Sequence, residues 1–163
     1  MSGSHRLLHE RLPEILLEDQ GIKGWAQGNF GRELTLIRGN RMPEHVTHHE
    51  RPALMIVQDE GENALMTMAN SYQRPSPSVI AGFFYRENDS EKAYWQAVNL
   101  VDVMIRALMN NPTLYVEADQ EGRPEAVDQA FVSDFVTDRG DPGTHPNHWV
   151  RFTVTAEYTL EEP

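Results

Sequence analysis

Val79-Ile80-Ala81-Gly82-Phe83-Phe84-Tyr85-Arg86-Glu87-Asn88-Asp89-Ser90-Glu91 is where the sequence changes period. Its first seven residues are β-branched, aromatic or small, the composition of a strand. From Ala97 onward the apolar residues recur three and four apart. Ala97, Leu100, Val101, Met104, Ile105 and Leu108 form one helical stripe, which Tyr94 and Val98 widen. Between the two patterns, Asn88-Asp89-Ser90-Glu91 reads as a capping box, with Asn88 as N-cap and Glu91 reaching back. Asn110-Asn111-Pro112 ends the helix, because a residue before proline is pushed out of helical geometry. A strand therefore runs straight into a long amphipathic helix. Packing that stripe on a sheet would contribute ~1.5–3 kcal/mol per large side chain, so the stripe needs no functional explanation.

Toward the C-terminus, 113–116 reads as a short extended piece and 120–124 as a turn. Residues 126–137 read as a strand. The loop 138–147 has the strongest turn chemistry in the chain. The last strand is 149–160, where Phe152, Val154, Ala156 and Tyr158 alternate with Arg151, Thr153, Thr155, Glu157 and Thr159. That period marks one covered and one wetter face, and the final two strands are expected to pair antiparallel.

Toward the N-terminus, Leu8, Leu12, Ile15 and Leu16 predict a helix over 4–20, kinked or delayed by Pro13 and ended by Gly21 as its C-cap. Gly21, Gly24, Gly28 and Gly31 surround Trp25 and Phe30, which reads as a turn-rich passage with two aromatic anchors. A strand over 34–37 follows. After a polar loop, Ala53-Leu54-Met55-Ile56-Val57 is continuously apolar, which predicts burial on both faces and a central position in the sheet. Residues 58–78 read as a long excursion or arm. The fold class is α+β: a mostly antiparallel sheet with a long helix packed on one face and a shorter N-terminal helix, in a single domain over 1–163.

Composition narrows the function. The 163 residues carry 14 Lys and Arg against 25 Asp and Glu, a net charge of −11 that disfavours a grip on phosphate backbones or anionic lipid. No cysteine is present, which excludes disulfides, thiolate metal sites and a cysteine nucleophile. No stretch is apolar enough to cross a bilayer. The start of the chain is too charged for a signal peptide core.

Three constellations merit weighing. His45, His48 and His49, flanked by Glu44 and Glu50, have the ligand chemistry of a zinc site, and a small His-dependent metallohydrolase is the enzymatic alternative. The order is not His-Glu-x-x-His, however, and Pro43 and Pro52 bracket the segment, so a solvated loop is the plainer reading. His145 and His148 form a second pair, read as part of a turn. Met66 and Met68 on the excursion offer an adaptable surface for a partner. Leu65, Met66, Met68, Tyr72 and Arg74 are accordingly the candidate subunit-interface residues. No phosphate-binding glycine loop and no nucleophile elbow occurs.

The order of elements resembles the tail terminator, or tail completion, proteins of long-tailed bacteriophages. Arg51-Pro52-Ala53-Leu54-Met55-Ile56-Val57 carries the likeness, with the helix end Ile105-Arg106-Ala107-Leu108-Met109-Asn110-Asn111-Pro112-Thr113-Leu114 and the alternating strand 149–160. The resemblance covers most of the chain from Ala53 onward. It implies a structural virion protein without catalytic residues or cofactors. Such proteins form a homo-oligomeric ring, usually hexameric, that caps the tail tube and joins it to the head–tail connector. DNA would pass through the lumen without specific contact, and no membrane would be involved. Assembly would take place in the host cytoplasm. A head–tail joining or neck protein of the same particle is the nearest alternative.

Overall fold

In the computed structural model, residues 4–39, 41, 45–59, 78–114, 129–137 and 146–157 are described. They form helices α1 (Ser4–Glu18), α2 (Gln20–Phe30) and α3 (Ser90–Asn110), with strands β1 (Thr35–Ile37), β2 (Ala53–Gln58), β3 (Ser78–Arg86), β4 (Gln129–Thr137) and β5 (Asn147–Glu157). The strands make one sheet in the order β1-β2-β3-β5-β4. Only the β1–β2 pairing is parallel; the three others are antiparallel. The fold is α+β, as the change of period at Tyr85 predicts.

All three helices lie on one face of the sheet. Leu8, Leu12 and Leu16 of α1, Ile22 and Trp25 of α2, and Leu100, Met104 and Leu108 of α3 share a core with the inward residues of the strands. Those are Leu54 of β2, Val79, Ala81, Phe83 and Tyr85 of β3, and Val150, Phe152, Val154 and Ala156 of β5. Trp25 is the hub, edge-on to Phe30, Phe83 and Tyr85 at 5.3, 6.3 and 5.6 Å. Such edge contacts add to area burial because the positive ring edge meets a negative ring face.

The passage around the four glycines is helical, not turn-rich. Asp19 caps α2, its carboxylate accepting from the Ile22 N–H at 3.0 Å, so Gly21 lies inside the second helix instead of ending the first. Ile22, Trp25 and Ala26 are buried, while Gly24 and Gly28 face open space. Tertiary burial outweighs the poor helix propensity of glycine here. The true C-cap is Gly31, at φ +65°, a left-handed conformation that favours glycine.

Three smaller expectations also shift. The N-cap of α3 is Asp89, whose carboxylate accepts from the N–H groups of Glu91 and Lys92 at 3.0 and 3.2 Å; Asn88 lies outside. The buried face of α3 is rotated from the expected stripe: Ala93, Gln96 and Ala107 are inside, while Tyr94 and Ile105 are exposed. β2 is interior to the sheet as its apolar run requires, but β3 is the central strand. β5 alternates as read. The residues before 129 in the penultimate strand, those after 157 in the last strand, and the turn at 120–124 fall outside the described residues.

The opposite face of the sheet carries a small second cluster of Ile37, Val46, Ala53, Met55 and Phe84, with Val57 and Trp149 packed on it. The turns around 45–52 are held there by Arg51. Its buried guanidinium donates to the carbonyls of Val46, His148 and Tyr85 at 3.3, 3.3 and 3.4 Å and lies 5.7 Å from the Phe84 ring centre. Arg32 fastens the same turns by donating to the carbonyls of His49 and Arg51.

Candidate functional site

The candidate interface residues Leu65, Met66, Met68, Tyr72 and Arg74 lie outside the described residues. The ends of their segment do not. The Asp59 N–H donates to the Ser78 carbonyl, and the Ser78 hydroxyl donates to the Asp59 carboxylate at 2.8 Å. Gln58 pairs with Val79, so the excursion leaves and re-enters the sheet at one point.

The histidines are not gathered. His45, His48 and His49 are all exposed, with the rings of His48 and His49 tilted against each other at 4.6 Å. Among the described residues no group of three or more histidines and acids is arranged to hold a metal ion. His148 is not in a turn. It is buried in β5, stacked on Tyr85 at 5.4 Å, with its Nε2 3.0 Å from the Glu87 carbonyl. Glu50 is bound by several donors in this region. Arg41 donates to both its oxygens at 2.7 Å and Thr47 adds backbone and hydroxyl donors, which hold its carboxyl below the usual range.

A concavity of about 640 Å³ opens between the first half of α3 and the end of β4. Tyr94, Ala97, Val98 and Val101 form one wall and Phe135 and Thr137 the other, with Tyr85 and His148 at the floor and Asp102 at the rim. The floor is rigid for local reasons. The Tyr85 hydroxyl donates to the Ala93 carbonyl at 2.7 Å, and Gln96 donates to Glu87 at 3.2 Å.

This groove continues into an exposed apolar face on α3. Tyr94, Val98, Ile105 and Met109 follow one another at helical spacing alongside the core face, with Val101, partly buried against the core, at the border between the two. Tyr94 is 62% exposed, Trp95 55% and Met109 73%. Phe135 on the neighbouring edge strand is also exposed. A helix apolar on two faces has a second surface to cover. The sequence signal was present, since Tyr94, Val98, Val101 and Ile105 stand in the chain at those spacings. Merging them with the core stripe hid it. What the face offers chemically is exposed apolar area.

The sequence matches no protein-family model, and no curated protein matches it.

Proposed function

We propose that this chain is a structural assembly protein of a bacteriophage tail, a tail terminator that forms a ring at the end of the tail tube and joins it to the head–tail connector. The observation that carries the reading is the outer apolar face of α3 beside the edge strand β4. Large exposed aromatic and Met side chains in one contiguous patch mark a protein–protein contact. The α+β order of elements and the three passages quoted above support the same reading. The acidic balance suits a channel through which DNA slides without sticking.

Negative-stain microscopy of the purified chain, alone and mixed with tail tubes, tests this. Annular particles, or caps on tube ends, are expected. Tubes left uncapped, together with stoichiometric zinc retained after dialysis, would replace the reading with the metallohydrolase.

A further inference from the structure

One edge of the sheet runs beside the groove between α3 and β4. Among the described residues β4 has a neighbouring strand, β5, on one side only. The ladder between them shifts register between Val132 and Asp134. Beyond that bulge, Asp134, Phe135, Val136 and Thr137 pair in step with Thr153, Phe152, Arg151 and Val150. The single hydrogen of the Phe135 amide goes to the carboxylate of exposed Asp134, 2.8 Å away. Backbone groups of an antiparallel strand face alternate sides residue by residue, so Phe135 and Thr137 turn theirs to the open edge. The side chains of these two residues line the groove opposite Tyr94, Val98 and Val101 of α3. The same short stretch thus offers backbone partners and an apolar wall.

The geometry points to an extended basic peptide as the occupant: it adds antiparallel to β4 over 134–137, lays two apolar side chains spaced two residues apart in the groove, and sets a flanking Lys or Arg against Asp102. Cross-strand neighbours share a face of the sheet, so residues of the added strand opposite Phe135 and Thr137 point into the groove of about 640 Å³. Asp102 is the one carboxylate of that lining, which holds no Lys or Arg, and it has no ion pair among the described residues. It therefore favours a cation, and the chain's net charge of −11 draws basic partners. The Phe135 donor is satisfied with and without the peptide, because a peptide carbonyl replaces the Asp134 carboxylate. The inference rests on the reading above only in treating this surface as a contact, and it needs no tail tube.

Isothermal titration calorimetry of the full chain with the heptapeptide acetyl-Lys-Thr-Leu-Ser-Leu-Thr-Lys-amide tests it. Saturable one-to-one binding is expected, with NMR amide shifts concentrated at Phe135 and Thr137. N-methylation of both leucines removes the donors that face β4 and should weaken binding about tenfold or more. N-methylation of the central serine, whose N–H faces solvent, should change it by less than about twofold. Replacing both lysines with glutamate should weaken binding about tenfold. Asp102→Lys, at an exposed site, should shift preference toward the glutamate peptide about tenfold, with circular dichroism and melting unchanged. No binding, equal binding of the methylated forms, or indifference to peptide charge overturns the inference. Self-association through β4 that the peptide does not disperse would also overturn it, by giving the edge to a second copy. Peptide binding by a chain that caps no tube would sink the tail reading alone, and capped tubes without peptide binding would sink this inference alone.

Discussion

The indole N–H of Trp25 donates to the backbone carbonyl of Gln96, 2.9 Å away and 71 residues further along the chain. That bond joins α2 to α3 beneath a cluster of edge-on rings, and both residues are buried. Trp25→Phe keeps a ring but removes the donor, so it should cost ~1–2 kcal/mol. Trp25→Ala also opens a cavity at the hub and should cost ~3–5 kcal/mol. Urea denaturation of the pair separates the bond from the packing; equal losses would assign the whole effect to the hydrogen bond.

Gly24 and Gly28 sit inside α2 with nothing within 4 Å of a would-be Cβ. Alanine at either position should stabilise the protein by ~0.5–1 kcal/mol, since it lowers the entropy lost on helix formation. Gly31 is different because its φ is +65°. Gly31→Ala should destabilise by ~1 kcal/mol. Thermal melting of the three variants checks that 20–30 is helical; a passage of turns would not give gains at 24 and 28.

Asp89 bonds two otherwise unpaired N–H groups at the start of α3, and Asn88 bonds neither. Asp89→Ala should therefore cost ~1 kcal/mol, and Asn88→Ala only a few tenths. Equilibrium unfolding of both variants decides between adjacent caps that the sequence makes equally plausible.

That ambiguity shows where reading a sequence stops. The period-two run of β5 and the apolar run of β2 were legible because burial there follows strand geometry directly. The cap of α3 was offset by one because Asn88, Asp89 and Ser90 all have capping side chains. Helix α2 was hidden because its glycines point outward, a fact set by the packing of Trp25 and Ile22. The outer face of α3 was half legible. Spacing placed Tyr94, Val98 and Ile105 on the helix, but only the packed sheet shows that they lie off the core side. The proximity of Asp102 on α3 to Phe135 on β4 comes from tertiary structure alone.

Gly82 stands opposite Met55 in the middle of the sheet, on the face that carries Phe84. A Cβ there would meet the Phe84 ring at 3.0 and 3.2 Å. That ring is only 2% exposed and is hemmed in by Met55 and the Arg51 guanidinium, so it has little room to turn. Gly82→Ala should cost ~1–3 kcal/mol by overpacking, despite the better strand propensity of alanine. A variant as stable as the unaltered protein would mean that the Phe84 ring swings aside freely.

Glu50 gives the turns on the back of the sheet a dependence on pH. The Arg41 guanidinium, then the Thr47 donors, hold its carboxyl below the ordinary glutamate value of 4.5. A group whose pKa is lower in the folded protein binds its proton less readily there than in the unfolded chain. Its stabilising contribution is therefore complete above pH 4.5 and disappears as pH falls through the lower folded value. Glu50→Gln should melt below the unaltered protein at about pH 7, and the gap should narrow as pH falls below 4.5. Backbone exchange at 45–51 should rise over the same interval, because Thr47 loses its acceptor while Arg51 continues to anchor the turn. A gap between the two proteins that stayed constant with pH would assign the difference to shape, not to charge.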